Sequence, residues 1–365
     1  MKRLKTGFTT GTAAAAAAKA AVHMLATDKA PETVSVALLT GDRIRIPIVK
    51  CSMNSNCAEC TVQKDAGDDP DITHKAIIGV RVRFIIKEDT EDSPLSVNIT
   101  GGYGVGKVTK PGLEIPPGEP AVNLGPRKMI LQSVREALNS NHCPARNVEV
   151  EVFVPNGVEL AKKTLNARLG IIGGISVLGT TGIVKPLSHE AYIATIKSAL
   201  SVARAAGLDT VVLTTGRRSE RYARQFRKDF PGEAFIQIGD YFRDSIHNAV
   251  QQGFRKIILA VFFAKAVKMA QGFPNTHAAN AQLDIQRLAD WAMHVTNDRK
   301  LCEKITEAVA ARHVLELIRH NHNALIHEVG KRMTAAAAGF AGSGATVEGV
   351  IFDYNGHVFS MNRNI

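Results

Sequence analysis

The chain has 365 residues, 45% of them hydrophobic and 22% charged, and carries a formal charge of +11. This composition excludes a disordered or low-complexity chain, and the length exceeds the ~250–300 residues at which single cores stop growing, so two domains are expected. The positive field draws anionic partners, but aromatics are only 5% and the basic residues are dispersed, which argues against nucleic acid and for phosphates or a small-molecule polycarboxylate.

The chain opens with the loop Thr6-Gly-Phe-Thr-Thr-Gly-Thr12, followed by a helix over about 13–25 whose start is marked by threonines that suit N-caps. Its six consecutive alanines allow close packing. Strands are expected at 34–39 and 43–49 around the turn Thr40-Gly41-Asp42, and at 77–86, where Arg81 and Arg83 alternate outward. A strand at 97–100 leads into a glycine-rich loop and a proline-rich connector at 111–120, then a helix at 125–138 and a strand at 148–155.

The second half changes rhythm. A short strand at 175–178 enters a Gly/Thr loop, and a helix at 188–206 opens with Ser188 and Glu190. Strands at 210–214, 235–238 and 256–262 alternate with helices at 220–228 and 240–252, the latter closed by Gly253. That alternation predicts βαβ units and a parallel sheet. Helices follow at 279–293, 302–319 and 324–338, then a hairpin of strands 347–353 and 357–361 around Asn355-Gly356. The expected organisation is an α+β N-terminal domain over 1–160 and an α/β Rossmann-like C-terminal domain with a parallel sheet over 161–340. The boundary falls within 156–170, and the 340–365 hairpin is able to complete the first domain.

No apolar run approaches the ~20 residues of a membrane helix, and 257–264, among the longest, reads as a buried strand. The basic start Met1-Lys2-Arg3 runs into Thr and Gly instead of a leucine-rich signal core, so a cytoplasmic protein without membrane contact is expected. The densest basic stretch, from Arg217 to Lys228, reads as a solvated helix face. Five cysteines, an odd number, argue against a disulfide framework in such a compartment. Cys57-Ala-Glu-Cys60 with Cys51 has metal-like local spacing but no second pair, so a structural or incidental role is expected.

Five segments could carry chemistry. Thr9, Thr10 and Thr12 precede a helix N-terminus, where free N–H groups and hydroxyls suit a carboxylate; the same residues also suit a plain helix cap. In Lys64-Asp-Ala-Gly-Asp-Asp-Pro-Asp-Ile-Thr-His74, Asp65, Asp68, Asp69 and His74 could supply a base or carboxylates facing a sulfonium, although Asp-Asp-Pro-Asp also resembles an exposed turn. Gly101-Gly-Tyr-Gly-Val-Gly106 lacks the following helix of a nucleotide loop and reads as substrate-facing, with Lys107 and Lys110 suited to carboxylates. Gly170 through Gly182, with Gly173, Gly174, Gly179, Thr180, Thr181 and Gly182, lies where doubly wound folds bind nucleotides. Asn275, Thr276 and His277 share a loop after strand 256–262, where His277 could be a base or a metal ligand, or the loop a simple cap.

With those segments in hand, the chain resembles the cobalt-precorrin-5B (C1)-methyltransferase family, CbiD. The resemblance rests on Gly7-Phe-Thr-Thr-Gly-Thr12, Lys64-Asp-Ala-Gly-Asp-Asp-Pro-Asp71 with Thr73-His74, Gly101–Gly106, Asn123-Leu-Gly-Pro-Arg127, the run Arg168 to Val184, and Asn275-Thr-His277, in the family's order. Two departures stand out: Ala13 replaces a usual Cys, and Val261-Phe-Phe-Ala-Lys265 keeps only the Lys of a Gly-His-x-Gly-Lys-like segment. The resemblance implies methylation of C-1 of cobalt-precorrin-5B by S-adenosylmethionine to give cobalt-precorrin-6A. Cobalt then arrives within the substrate, with no protein-held metal. On that reading, Gly173, Gly174, Gly179–Gly182 and Asp240 are expected to hold the cofactor, and Asp65, Asp68 and His74 to face the reacting ring. Thr9, Thr10, Lys64, Lys107, Arg127, Asn275, Thr276 and His277 would hold the substrate. Two rivals remain: a corrinoid or tetrapyrrole binder without turnover, permitted by the Val261–Lys265 departure, and a nicotinamide oxidoreductase, weakened because no Gly-x-Gly-x-x-Gly opens a helix. The partner expected is a small-molecule corrinoid; oligomeric state stays open, a homo-oligomer included.

Overall fold

The computed structural model describes residues 4–54, 56–85 and 94–363. The basic residues 1–3, Ile86 of the strand expected at 77–86, and the last two residues of the 340–365 segment lie outside the described residues. Two compact units divide the chain, Met1–Ser188 and His189–Ile365.

In order, the first unit contains β1 (Gly7–Phe8), α1 (Thr10–Thr27), β2 (Thr33–Ala37), β3 (Arg43–Pro47), β4 (Lys50–Asn54), β5 (Cys57–Gln63), β6 (Ile77–Phe84), β7 (Ser96–Gly101), β8 (Gly104–Val105), β9 (Lys107–Val108), α2 (Leu124–Ser140), β10 (Asn147–Phe153), α3 (Gly157–Ala161), β11 (Ile171–Ile172), β12 (Gly174–Ile175) and β13 (Ile183–Val184). Its main sheet has the order β4-β5-β6-β10-β7, antiparallel except for the parallel pair β10/β7. Along β6 and β10 the valines face the core, whereas Arg81 lies on the other face between Glu59 (2.8 Å) and Glu151 (2.7 Å). That alternation is what a half-buried antiparallel sheet requires.

Helix α1 packs against α2 and lies on β5 and β6. Its alanines 13–18, 20 and 21 are fully buried. A helix without side chains beyond Cβ is thin enough to be enclosed on all sides, and a helix apolar all round is a buried one. Thr9 caps it, its hydroxyl accepting from Thr12 N–H. The single lysine within the run, Lys19, reaches Glu136 on α2 (2.5 Å), which Arg43 on β3 also holds (2.6 Å).

The second unit contains α4 (His189–Ala205), β14 (Thr210–Thr214), α5 (Arg217–Phe226), β15 (Phe235–Gln237), α6 (Phe242–Gln251), β16 (Lys256–Phe262), α7 (Phe263–Ala270), α8 (Ile285–Thr296), α9 (Arg299–Thr306), α10 (Ala311–Ile318), α11 (Asn323–Ala341), β17 (Thr346–Phe352) and β18 (Val358–Arg363). Its sheet has the order β15-β14-β16-β17-β18, parallel apart from β18. Alternate residues of each strand enter different cores: Val211, Leu213, Ile257 and Leu259 pack beneath α6, α7 and α11, whereas Val212, Ile258 and Val350 pack with Ala223 of α5. Burial on both faces explains the unbroken apolar run of β16. Among the described residues no helix is long and apolar enough to cross a membrane.

Four expectations need correction. The boundary lies at 188, not near 160: β11, β12 and β13 pair with β9, β8 and β1, which ties residues 171–184 into the first unit. The terminal hairpin belongs to the second unit, because β17 continues the parallel sheet beside β16 from Lys256↔Thr346 to Phe262↔Phe352. The cysteines are not free of pairing: Cys51 and Cys60 lie directly opposite each other on β4 and β5, with Cα atoms 4.2 Å apart, and form a disulfide. That spacing is typical of facing residues in an antiparallel pair. The β4/β5 hairpin itself was not expected. The helix expected at 302–319 is two helices, α9 and α10, and α7 begins where β16 ends.

Candidate active site

In the first unit three of the singled-out segments meet at one junction. Strand β1 pairs antiparallel with β13, Gly7↔Val184 and Phe8↔Ile183. From its other side Phe8 N–H donates to Asp65 O (2.8 Å), and Asp68 N–H donates to Lys5 O (2.9 Å). The chain entering α1 is therefore held between the acidic loop and the Gly179–Gly182 turn. Thr9 N–H and Thr12 Oγ1 both donate to Gly182 O (3.0 and 2.7 Å). Gly7 is required by this closeness: a Cβ there would lie 2.5 Å from Ala66 Cα. Gly182 has φ +96°, which an L side chain rarely adopts.

The junction uses many groups that the sequence offered as ligands. Thr9 and Thr10 are buried; Thr10 Oγ1 accepts from Leu178 N–H (2.9 Å) and donates to Leu178 O (3.2 Å). Here they clamp backbone to backbone. Lys64 is 1% exposed, and its ammonium donates to Asp71 (2.6 Å). Arg127 donates to Val122 O (2.8 Å) and lies 3.6 Å from Glu119. In the Gly101–Gly106 loop, Gly104 packs its backbone on that of Gly157 and Gly174, which leaves Gly174 buried and spent on packing. Gly173 is exposed, and so is Lys107, which makes no ion pair among the described residues.

The acidic loop is held together by its own carboxylates. Asp65 accepts from Lys5 Nζ (2.9 Å) and Gly67 N–H (2.8 Å), Asp68 from Lys5 N–H (2.6 Å), Asp69 from Leu187 N–H (2.9 Å), and Asp71 from Thr73 N–H (2.7 Å) besides Lys64. The hydrogen bond from Lys5, helped by that from Gly67, holds the Asp65 carboxyl below the usual carboxylate range despite partial burial. For Asp71 burial pushes upward most, but Lys64 and Thr73 together outweigh it and lower the carboxyl. Such carboxylates are weak bases. His74 is partly exposed; its Nδ1 accepts from Ala66 N–H (3.1 Å) and lies 3.9 Å from Asp65 Oδ1.

Glycines 179 and 182 and threonines 180 and 181 sit in this first unit, not at the end of a strand of the second unit's sheet, so the reason for reading them as a nucleotide loop falls away. A Cβ at Gly179 would meet Thr9, which accounts for that glycine by packing.

The second unit gathers polar groups at the carboxyl edge of its parallel sheet. Asp240, just beyond β15, shares Oδ1 between Lys265 Nζ of α7 and Thr276 Oγ1 (2.8 Å), and Asp240 O accepts from Thr276 N–H (2.9 Å). Burial pushes the Asp240 carboxyl up, but Lys265 and Thr276 outweigh it and hold it below the usual range. Lys268 is pushed down, first by burial and then by Lys265. Thr276 is fully buried. Asn275 Oδ1 accepts from His277 N–H (2.9 Å) and His277 Nδ1 from Ala279 N–H (3.2 Å), a local turn. Sequence reading did not find Tyr241, which stacks on Tyr192 (4.9 Å, 30°) beside Asp240. Asp240, Thr276 and the retained Lys265, all singled out in the sequence, form this network.

A mostly parallel sheet of order 2-1-3-4-5 with helices on both faces and polar groups at its carboxyl edge defines a doubly wound α/β arrangement. The CbiD family matches residues 1–186, closing just before the unit boundary, and the CbiD C-terminal domain matches residues 275–363. The chain belongs to the CbiD family. It is 42% identical to the cobalt-precorrin-5B C(1)-methyltransferase of Geobacter sp. (strain M21), over 93% of both chains. It is 40% identical to that of Pelobacter propionicus over 98% of this chain and 95% of the relative. The Leptospira borgpetersenii relative of the same name is 37% identical over 100% of this chain and 96% of its own. A solved structure of a cobalamin biosynthesis protein (cbiD) from Archaeoglobus fulgidus is 29% identical, covers 72% of this chain and 78% of its own, and has a TM-score of 0.39.

Proposed function

We propose that this chain transfers a methyl group from S-adenosylmethionine to C-1 of cobalt-precorrin-5B in cobalamin biosynthesis, in the cytoplasm. The observation that carries the reading is identity near 40% across almost the whole length of relatives bearing that name. The reaction asks little covalent help: the substrate carbon attacks the methyl of the sulfonium, the carbon–sulfur bond breaks, and holding the two in line supplies most of the acceleration. The charge of +11 suits a substrate rich in acetate and propionate groups.

For the methyl donor, the carboxyl edge of the second unit offers a fit. The turn Thr214-Thr215-Gly216 leaves the first strand at the point where strand order reverses, and a Cβ at Gly216 would meet open space. Asp240 follows the second strand, where an acid accepts from the hydroxyls of a nucleoside. Its Oδ1 is taken by Lys265 and Thr276, and Oδ2 has no partner among the described residues. The substrate side would draw on the exposed Lys107 and Thr180, and on His74.

Calorimetry separates this reading from a nicotinamide enzyme. S-adenosylhomocysteine should bind with one site per chain and NAD should not; heat from NAD alone would overturn the proposal.

A further inference from the structure

From the geometry around His74 we infer that this residue is a fixed hydrogen-bond donor through Nε2 and not a proton acceptor. Its Nδ1 accepts from Ala66 N–H (3.1 Å). Ala66 is fully buried, so its N–H has no water to turn to if the histidine nitrogen is lost, and an orphaned buried donor is penalised in full. A proton on Nδ1 would put two donors face to face. Among the described residues the acid paired with that nitrogen is Asp65, which lies 3.9 Å away and is already engaged by Lys5 and Gly67. The neutral ring therefore keeps its proton on Nε2.

The loop fixes the backbone that carries the ring. His74 N–H donates to Asp71 O (3.0 Å), Lys75 N–H to Lys64 O (2.8 Å) and Lys64 N–H to Ala76 O (2.9 Å). Lys75 turns with φ +62° directly after the histidine. Nε2 has no partner among the described residues, while the four aspartates of the loop are each committed to a protein donor. A neutral imidazole in this state offers an N–H to an anionic or carbonyl oxygen. Assigning that oxygen to a side-chain carboxylate of the corrinoid rests on the function proposed above.

Two measurements decide it. Long-range proton–nitrogen NMR on histidine-labelled protein, with the His74 signals identified by their loss in His74→Asn, should show a pyridine-type Nδ1 and a pyrrole-type Nε2 at alkaline pH. The opposite tautomer overturns the inference whatever the reaction. In turnover, His74→Asn keeps an acceptor for Ala66 but loses the distal donor, and His74→Gln carries an amide N–H near the Nε2 position. His74→Asn should raise KM for the corrinoid roughly 10- to 100-fold, the range for one hydrogen bond to a charged group, with kcat changed less and His74→Gln partly restoring KM. An unchanged KM in His74→Asn overturns the donor role. A wild-type chain with no turnover would sink the proposed function, and the tautomer would still be read.

Discussion

Replacing Gly7 with alanine probes the three-segment junction at its tightest point. The added Cβ would lie 2.5 Å from Ala66 Cα and closer still to the Asp65 carbonyl oxygen, all of it backbone that cannot rotate away. Strand β1 must move off the acidic loop, and the Phe8 N–H to Asp65 O hydrogen bond (2.8 Å) goes with it. Overpacking of this kind costs about 1–3 kcal/mol and the hydrogen bond roughly 0.5–1.5 kcal/mol; the stiffer unfolded chain returns about 0.4–1 kcal/mol. A net loss of roughly 1–4 kcal/mol should lower the melting temperature of the first unit by about 3–12 °C. Calorimetry reads the shift, and hydrogen exchange should show faster exchange confined to the start of α1 and the 65–68 turn. A melting temperature within about 1 °C of wild type, with exchange unchanged, would refute the packing described here.

Glu136 gives a pH test. The Arg43 hydrogen bond, with that of Lys19, holds its carboxyl at about 2 against partial burial that pushes it up. The folded state binds this proton less readily than the unfolded one, so the stabilisation is complete above about pH 4.5 and is lost as the pH falls toward 2. Its size is about 1–3 kcal/mol after allowance for solvent; the stability gap between wild type and Glu136→Gln should therefore close between pH 5 and about pH 2, and a gap independent of pH contradicts it. Lys265→Met should raise the dissociation constant for S-adenosylhomocysteine about 10- to 100-fold by freeing the Asp240 carboxylate to turn, as read by calorimetry; wild-type affinity would remove Asp240 from the donor site. Alkylation of the denatured, unreduced protein should modify Cys57, Cys143 and Cys302 only, with Cys51 and Cys60 joining after reduction; five reactive thiols without reductant would contradict the pairing.

Much of the fold is written in local patterns. The alanine run announces a buried helix, Arg81 and Arg83 mark the outward face of β6, and the apolar run of β16 needs a sheet covered on both sides. What escaped sequence reading depends on partners far along the chain. Strands β8, β9, β11 and β12 are two residues each, and nothing local says that Gly104 pairs with Gly174, so the boundary was placed too early. The β4/β5 hairpin is cysteine-bearing, with Ala58, Cys60 and Val62 turned to the core, and its register is apparent only once Cys51 faces Cys60. At the junction, the hydroxyls of Thr9 and Thr10 and the ammonium of Lys64 have the chemistry of ligands, but burial, the backbone partners of the threonines and the Asp71 carboxylate beside Lys64 give them structural work. Residue type reveals what a group can bind, not whether a neighbour has already claimed it.

The most direct test of the account is turnover with methyl-13C S-adenosylmethionine and cobalt-precorrin-5B, followed by carbon NMR of the purified pigment. The account predicts one new methyl resonance, on the quaternary carbon C-1, with S-adenosylhomocysteine formed in equal amount. Pigment that is retained by the protein without label, or label found at any other carbon, would contradict it.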